Sequence, residues 1–266
     1  MTNFVKSKDG TQIATTRVGR GPHLVLVDGA FCHRKFGPNE ALANQLKKDF
    51  TVTIYDRRGR GESGNTLPYK VEREIEDLEA IINSLDQSVS VYGISSGAAL
   101  ALEAANAGLP IHKLALYEAP FIVDDSRKPL RDDYLERLQT YTESGQNGKV
   151  VSSFMKDGVG LPGFVVFMMR LMPSWKKLRK LAPTVIYDTL ILGETGTGKP
   201  LSADKWPGVK VETLVISGSK SEKWAQNSMK QLATVLPNAN HLSLRGQTHM
   251  VKPKVLAPEL IRFFSR

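Results

Sequence analysis

A chain of 266 residues with an ordinary apolar share can bury the core of one large α/β domain, or of a domain with an insertion. The amino-terminal run Met1-Thr2-Asn3-Phe4-Val5-Lys6-Ser7-Lys8-Asp9 has no apolar leader and no stretch approaches membrane-span length, so a cytoplasmic location and no membrane partner are expected. The single cysteine, Cys32, excludes an internal disulfide, and the net charge of +9 raises the question of a nucleic-acid partner.

The elements follow in order. Phe4–Lys6 and Ile13–Val18 read as short strands around the turn Lys8-Asp9-Gly10. His23–Val27 is a near-continuous apolar strand of the kind buried on both faces, and it ends in Asp28-Gly29-Ala30-Phe31. Phe50–Tyr55 is a further strand, running into Asp56-Arg57-Arg58-Gly59-Arg60-Gly61-Glu62-Ser63-Gly64. Val71–Leu85 carries Ile75, Leu78, Ile81, Ile82 and Leu85 at helical spacing. Ser88–Tyr92 is β-favouring, turns through Gly93-Ile94-Ser95-Ser96-Gly97, and continues as the helix-forming Ala98–Ala105. Ile111–Tyr117 is a strand ending at Glu118-Ala119-Pro120-Phe121. Residues 122–206 change to a helical text, with the apolar block Gly163–Met172. Strands return at Val211–Gly218 and His241–Arg245, and a helix over Val255–Phe264 closes the chain. The alternation predicts a mostly parallel sheet covered by helices on both faces. Residues 1–121 and 207–266 form its core, and 122–206 a helical cap over the carboxyl edge.

Two features are set aside. The runs Arg57-Arg58-Gly59-Arg60 and Trp175–Lys180 come with no aromatic ladder, the second reads as the solvated face of a helix, and no nucleic-acid partner is expected. Gly193-Glu194-Thr195-Gly196-Thr197-Gly198-Lys199 fits a phosphate loop until its last position, where Pro200 stands in place of the hydroxyl residue that binds Mg²⁺. Val185–Leu192 could supply a strand before it, but an exposed Gly-Thr loop is the preferred reading.

Strand, sharp turn and helix around Gly93-Ile94-Ser95-Ser96-Gly97 are the context of a nucleophile elbow. A Cβ at Gly93 or Gly97 would collide with the neighbouring strand or helix, and Ser95 is expected at a strained backbone angle. Among the histidines only His249, in Gly246-Gln247-Thr248-His249-Met250, follows the carboxyl end of a late strand; His23, His33, His112 and His241 do not. With the loop Asp56–Ser63, these motifs resemble the α/β-hydrolase superfamily over nearly the whole chain. The resemblance implies an α/β-hydrolase fold, Ser95 as nucleophile and His249 as general base.

Many members place an aspartate three residues past the glycine that ends the penultimate strand. Here that position is Ser221, which cannot stabilise an imidazolium. Glu118, at the end of the strand after the elbow, is the preferred acid, with Glu222, Asp124 and Asp125 as alternatives and the absence of any acid left open. The resemblance also implies an oxyanion hole from the Ser96 N–H and one from Gly29 or Ala30. Asp28-Gly29, Ser95-Ser96-Gly97-Ala98 and the glutamate after the next strand together resemble the zearalenone-type lactone hydrolases. Asp28 itself is expected to hold backbone groups in its turn.

The expected function is a cofactor-free, metal-free serine hydrolase of an apolar carboxylic ester or lactone. Phe31, Phe167, Met168 and Trp175 are candidate lining residues, with Trp206 on weaker grounds, although plain cap core explains the Met- and Phe-rich block equally well. The alternative is a non-catalytic small-molecule-binding protein on the same scaffold, motivated by Ser221. The oligomeric state is left open.

Overall fold

The computed structural model describes residues 2–85 and 88–266; Met1, the first residue of the amino-terminal run, lies outside them. Its centre is an eight-stranded sheet. The strands are β1 (Asn3–Lys6), β2 (Gln12–Gly19), β3 (His23–Val27), β4 (Thr51–Tyr55), β5 (Val89–Ile94), β6 (Ile111–Tyr117), β7 (Glu212–Gly218) and β8 (Ala239–Leu244). Their spatial order is β1-β2-β4-β3-β5-β6-β7-β8. β1 and β2 pair antiparallel, as does β2 with β4, and every later pairing is parallel.

Alternate strand residues feed two cores, as a period of two requires. Val25, Val27, Val89, Val91, Leu114, Leu116 and Val215 face one side. There they meet helices α2 (Val71–Asn83), α3 (Ser96–Asn106) and α9 (Lys223–Val235). Leu24, Leu26, Val52, Ile54, Tyr92, Ala115 and Ile216 face the other side. Their partners are α1 (Asn39–Leu46) and α10 (Pro253–Phe264).

Helices α1 and α9 have no counterpart among the sequence-derived elements. Their buried faces explain this: α9 buries Ala225, Ser228, Met229 and Leu232, and α1 buries Asn39 and Ala43 beside Leu42 and Leu46. Half of each stripe is small or polar, which weakens the periodic apolar signal.

Chain order reverses at the centre of the sheet: β3 passes its next strand, β4, on one side and has β5 on the other. A crevice opens outside the carboxyl ends of two such strands. The turns after β3 and β5 therefore converge there.

Between β6 and β7 lie α4 (Tyr134–Glu143), α5 (Asn147–Ser153), α6 (Gly163–Met169), α7 (Ser174–Leu181) and α8 (Val185–Leu192). They carry their own apolar cluster, including Leu138, Val150, Val151, Leu178 and Val185. The strand that Val185–Leu192 could have supplied to a phosphate loop is absent: the segment is α8, with Val185, Tyr187, Asp188 and Ile191 buried. The glycine-rich run after it is exposed at Gly193, Glu194, Thr197 and Lys199, as expected, but is anchored in the middle. Thr195 and Gly196 are buried, and their carbonyls accept the N–H groups of Ile122 and Leu130. Trp206 is likewise no lining residue. It is buried in the main core, stacks on Phe121 at 5.7 Å and donates its indole N–H to Glu103 at 2.8 Å.

Among the described residues no helix is long and apolar enough to cross a membrane. The arginines of the 57–60 run are buried in ion pairs with Glu74, Asp77, Asp9 and Asp188.

Candidate active site

The elbow is built by close approach. A Cβ on Gly93 would lie 2.4 Å from the Gly97 carbonyl oxygen, and one on Gly97 would lie 2.4 Å from that of Val27 and 2.5 Å from that of Asp28. Only hydrogen fits at either position. The chain therefore passes from β5 into α3 in one residue, Ser95, at φ 58° and ψ −130°. Its N–H donates to Tyr117 O (2.9 Å), and its carbonyl accepts the Ala98 N–H (2.9 Å). Ser95 occupies the N-cap position, yet its hydroxyl makes no capping bond and has no other hydrogen-bond partner among the described residues. Oγ is left free.

Glu118 follows β6 with φ 45° and is 1% exposed. A buried carboxylate must be paired or hydrogen-bonded. Here Oε1 accepts the Gly218 N–H (2.7 Å) and the Ser221 hydroxyl (2.5 Å), while Oε2 lies 2.8 Å from His249 Nδ1. Because an ionised carboxylate only accepts, the Nδ1–H donates and Nε2 is turned outward as a free base. The His249 side chain is 48% exposed. Its loop is fixed on both sides, by the Tyr117 hydroxyl donating to Thr248 O (2.7 Å) and by the Lys252 N–H donating to Gln247 Oε1 (3.0 Å).

Of the alternative acids, none meets His249. Glu222 is exposed at the start of α9, Asp125 is exposed, and Asp124 accepts from Ser126 and from Asn227 Nδ2 (2.7 Å). Glu118 and His249 are thus brought together. Ser95 sits on the same carboxyl edge, without a hydrogen bond to His249 in this structure.

The turn after β3 faces the elbow. A Cβ on Gly29 would come within 2.9 Å of Ser95 Cβ and 3.4 Å of Oγ. Among the described residues the N–H groups of Gly29, Ala30 and Ser96 have no acceptor. Phe31, next in the turn, has φ 58°. Among the described residues the three non-glycine residues of positive φ, Phe31, Ser95 and Glu118, therefore lie in the segments that follow β3, β5 and β6, on one edge of the sheet. Such conformations cost about 1–3 kcal/mol each and gather where function demands them. The sequence marks Ser95 through its glycines; nothing comparable marks the angles at Phe31 and Glu118.

Other expected residues fare differently. Phe31 is buried and meets Phe154 edge-on at 5.1 Å, and Trp175 packs against the same apolar cluster. Phe167 and Met168 are 60% and 56% exposed and lie outside that cluster. Their helix buries only Val166, and one short turn of inward face cannot hold the whole apolar block. The expectation for Asp28 is also overturned: its carboxylate accepts no backbone N–H among the described residues, and Oδ1 is buried without a partner. Burial pushes this carboxyl up to about 8, against the pull of Arg60 and Arg57.

Two surface hollows, lined by Ile111, His112 and Lys210 and by Glu212, Pro237 and Asn238, lie at the opposite, amino edge of the sheet. Among the described residues no group of three or more His, Cys, Asp or Glu is placed to hold a metal ion.

Comparison with solved structures agrees over the full length. An alpha/beta hydrolase from Sphaerobacter thermophilus is 44% identical, with a TM-score of 0.90 over 98% of this chain and 100% of its own. An esterase from Exiguobacterium antarcticum is 17% identical, with a TM-score of 0.72 over 100% of both chains. An esterase from Thermogutta terrifontis is 20% identical, with a TM-score of 0.65 over 100% of this chain and 97% of its own; these last two share the fold. The alpha/beta hydrolase family matches residues 24–257. With that match spanning most of its length, the chain belongs to the alpha/beta hydrolase family.

Proposed function

We propose that the protein is a cofactor-free serine hydrolase of carboxylic esters or lactones. The observation that carries this reading is the pairing of Glu118 with His249 at 2.8 Å, on the sheet edge where Ser95 presents a free hydroxyl from a strained elbow. In the reaction, Ser95 Oγ attacks the carbonyl carbon as His249 Nε2 takes its proton. Glu118 keeps the imidazole in the Nδ1–H tautomer and offsets its charge once protonated. The Ser96 N–H, with that of Gly29 or Ala30, receives the negative oxygen of the tetrahedral intermediate. The imidazolium then protonates the leaving alkoxide, and water repeats the sequence on the acyl-serine.

A lactone is favoured by the resemblance of the Asp28-Gly29 turn, the Ser95–Ala98 elbow and Glu118 to the zearalenone-type enzymes. The alternative of a ligand-binding protein loses its motive, because Ser221 donates to the acid instead of leaving the position empty. The test is a panel of activated esters and lactones of increasing acyl size, assayed with the native protein and with Ser95→Ala. Turnover of at least one member, abolished by the substitution, is expected. A folded native protein that turns over none, or a Ser95→Ala protein of full rate, contradicts the proposal.

A further inference from the structure

Behind the turn after β3 lies a buried ion cluster that the reaction above does not use. Asp188, on cap helix α8, is 2% exposed. Its Oδ1 accepts from Arg57 Nη1 (2.7 Å) and from the Ser96 hydroxyl (2.7 Å), and its Oδ2 from Arg60 Nη2 (2.6 Å). Glu74 takes the other side of Arg57, at 2.6 Å from Nε and 2.8 Å from Nη2. Two arginines and two carboxylates thus balance in charge away from water, the condition under which buried ions persist.

Both arginines also reach the main chain of the turn. Arg57 Nη1 donates to Asp28 O (3.3 Å) and Arg60 Nη1 donates to Gly29 O (2.8 Å). These oxygens belong to the peptide units whose N–H groups are those of Gly29 and Ala30. In a planar trans peptide the C=O and N–H bonds point in opposite directions. Fixing the oxygen from behind therefore fixes where the N–H points in front. Arg57 sets the Gly29 donor and Arg60 the Ala30 donor, so the device works whichever of the two is used. The remaining donor, Ser96 N–H, belongs to the residue whose hydroxyl is tied to the same carboxylate.

We infer that Asp188 is a positioning residue for the oxyanion hole: through Arg57, Arg60 and Ser96, one cap carboxylate aims the backbone donors that face Ser95. This inference rests on the hydrolase reading. It makes the seated position of α8 a condition for catalysis, since Asp188 reaches the core turn from the cap. Preorganised donors act on the charge that develops in the transition state, so their misalignment lowers kcat more than it alters substrate binding.

The test compares Arg60→Lys, Asp188→Asn and Ser96→Ala with the native protein on an activated ester. It also compares a trifluoromethyl ketone, whose serine adduct carries an oxyanion, with the unreactive methyl ketone of the same shape. Lysine keeps the charge of Arg60 but cannot span Gly29 O, Thr184 and Asp188 as the guanidinium does. Arg60→Lys and Asp188→Asn are expected to lower kcat by about 10- to 1,000-fold with KM changed less than about threefold. The trifluoromethyl ketone should weaken in parallel while the methyl ketone holds. Ser96→Ala, which leaves both arginines paired, should lose less than about tenfold. If Asp188→Asn fails to fold, Arg60→Lys decides by the same criteria. Folded Arg60→Lys or Asp188→Asn protein with native kcat, or with equal losses for both ketones, overturns the inference while the hydrolase reading stands. A native protein that turns over nothing and takes no phosphonate on Ser95 overturns that reading, and this inference with it.

Discussion

Glu118 enters the site with each carboxylate oxygen already assigned, one to Gly218 and Ser221 and one to His249. The proposed division of labour predicts unequal losses. Glu118→Gln leaves an amide that cannot offset the imidazolium, and kcat should fall by about 10²- to 10⁴-fold. Ser221→Ala removes one of two bonds to Oε1 and should cost less than about tenfold in kcat, consistent with a supporting hydrogen bond to a charged group. Steady-state kinetics on one ester checks both; a Ser221→Ala loss as large as that of Glu118→Gln would assign the roles wrongly. Asp28 offers a test in stability. Its carboxyl, near 3.8 in an unfolded chain and raised to about 8 by burial, holds its proton better in the folded state. Its contribution is therefore fully present below about pH 4, declines as pH rises, and is gone above about 8. Denaturant unfolding of the native protein and Asp28→Asn between these limits should show a pH slope, of at most about 1.4 kcal/mol per unit, that the variant lacks. Parallel curves would place the carboxyl in contact with water.

At the scale of elements, the strand-to-helix passage through Ser95 depends on what glycine leaves out. Gly97→Ala would put a methyl group against the backbone of Val27 and Asp28, which cannot yield as a side chain can, and should cost about 3 kcal/mol or more. Gly108→Ala meets nothing within 4 Å and carries only the penalty of φ +86°, about 1–2 kcal/mol. Chemical denaturation of the two variants separates steric collision from conformational strain; equal losses would mean the elbow relaxes. The same elements show why part of the molecule is legible in the sequence. β3, β5 and the second half of β6 are largely apolar and bounded by turn residues, and a parallel sheet carries residues at consecutive strand ends onto one edge. That placement, together with the family resemblance, makes Glu118 the preferred partner of His249 while Glu222, Asp124 and Asp125 stay open. Asp188 could not be paired that way. Its meeting with Ser96 joins residues far apart in the chain and depends on the seating of α8, a largely apolar segment that can also be read as a strand. Asp28 is illegible for a different reason, since a carboxyl left without partners is set by what surrounds it and not by its neighbours in sequence.

The whole molecule is held unevenly. α8 is bound to the loop after β4 by the Arg57 and Arg60 pairs with Asp188, by hydrogen bonds between Asn65 and Tyr187, and by Tyr187 stacked on Tyr69 at 3.7 Å. Further out, Phe164, Phe167, Met168, Leu171 and Met172 are exposed and add little buried area. Local opening follows the density of buried contacts. Limited chymotrypsin digestion should cut after Phe164, Phe167 or Leu171 well before Tyr187, as mapped by mass spectrometry. Early cleavage at Tyr187 would mean that α8 is not seated on the core. A seated α8 matters because the crevice between the ends of β3 and β5 is where the fold brings the elbow, the free N–H groups and the imidazole to one edge. The most direct measurement of that arrangement is phosphonate labelling followed by peptide mapping. The account predicts one adduct per chain, on Ser95, formed quickly in the native protein and far more slowly in His249→Gln. A folded protein that remains unlabelled, or an adduct on any other residue, would contradict it.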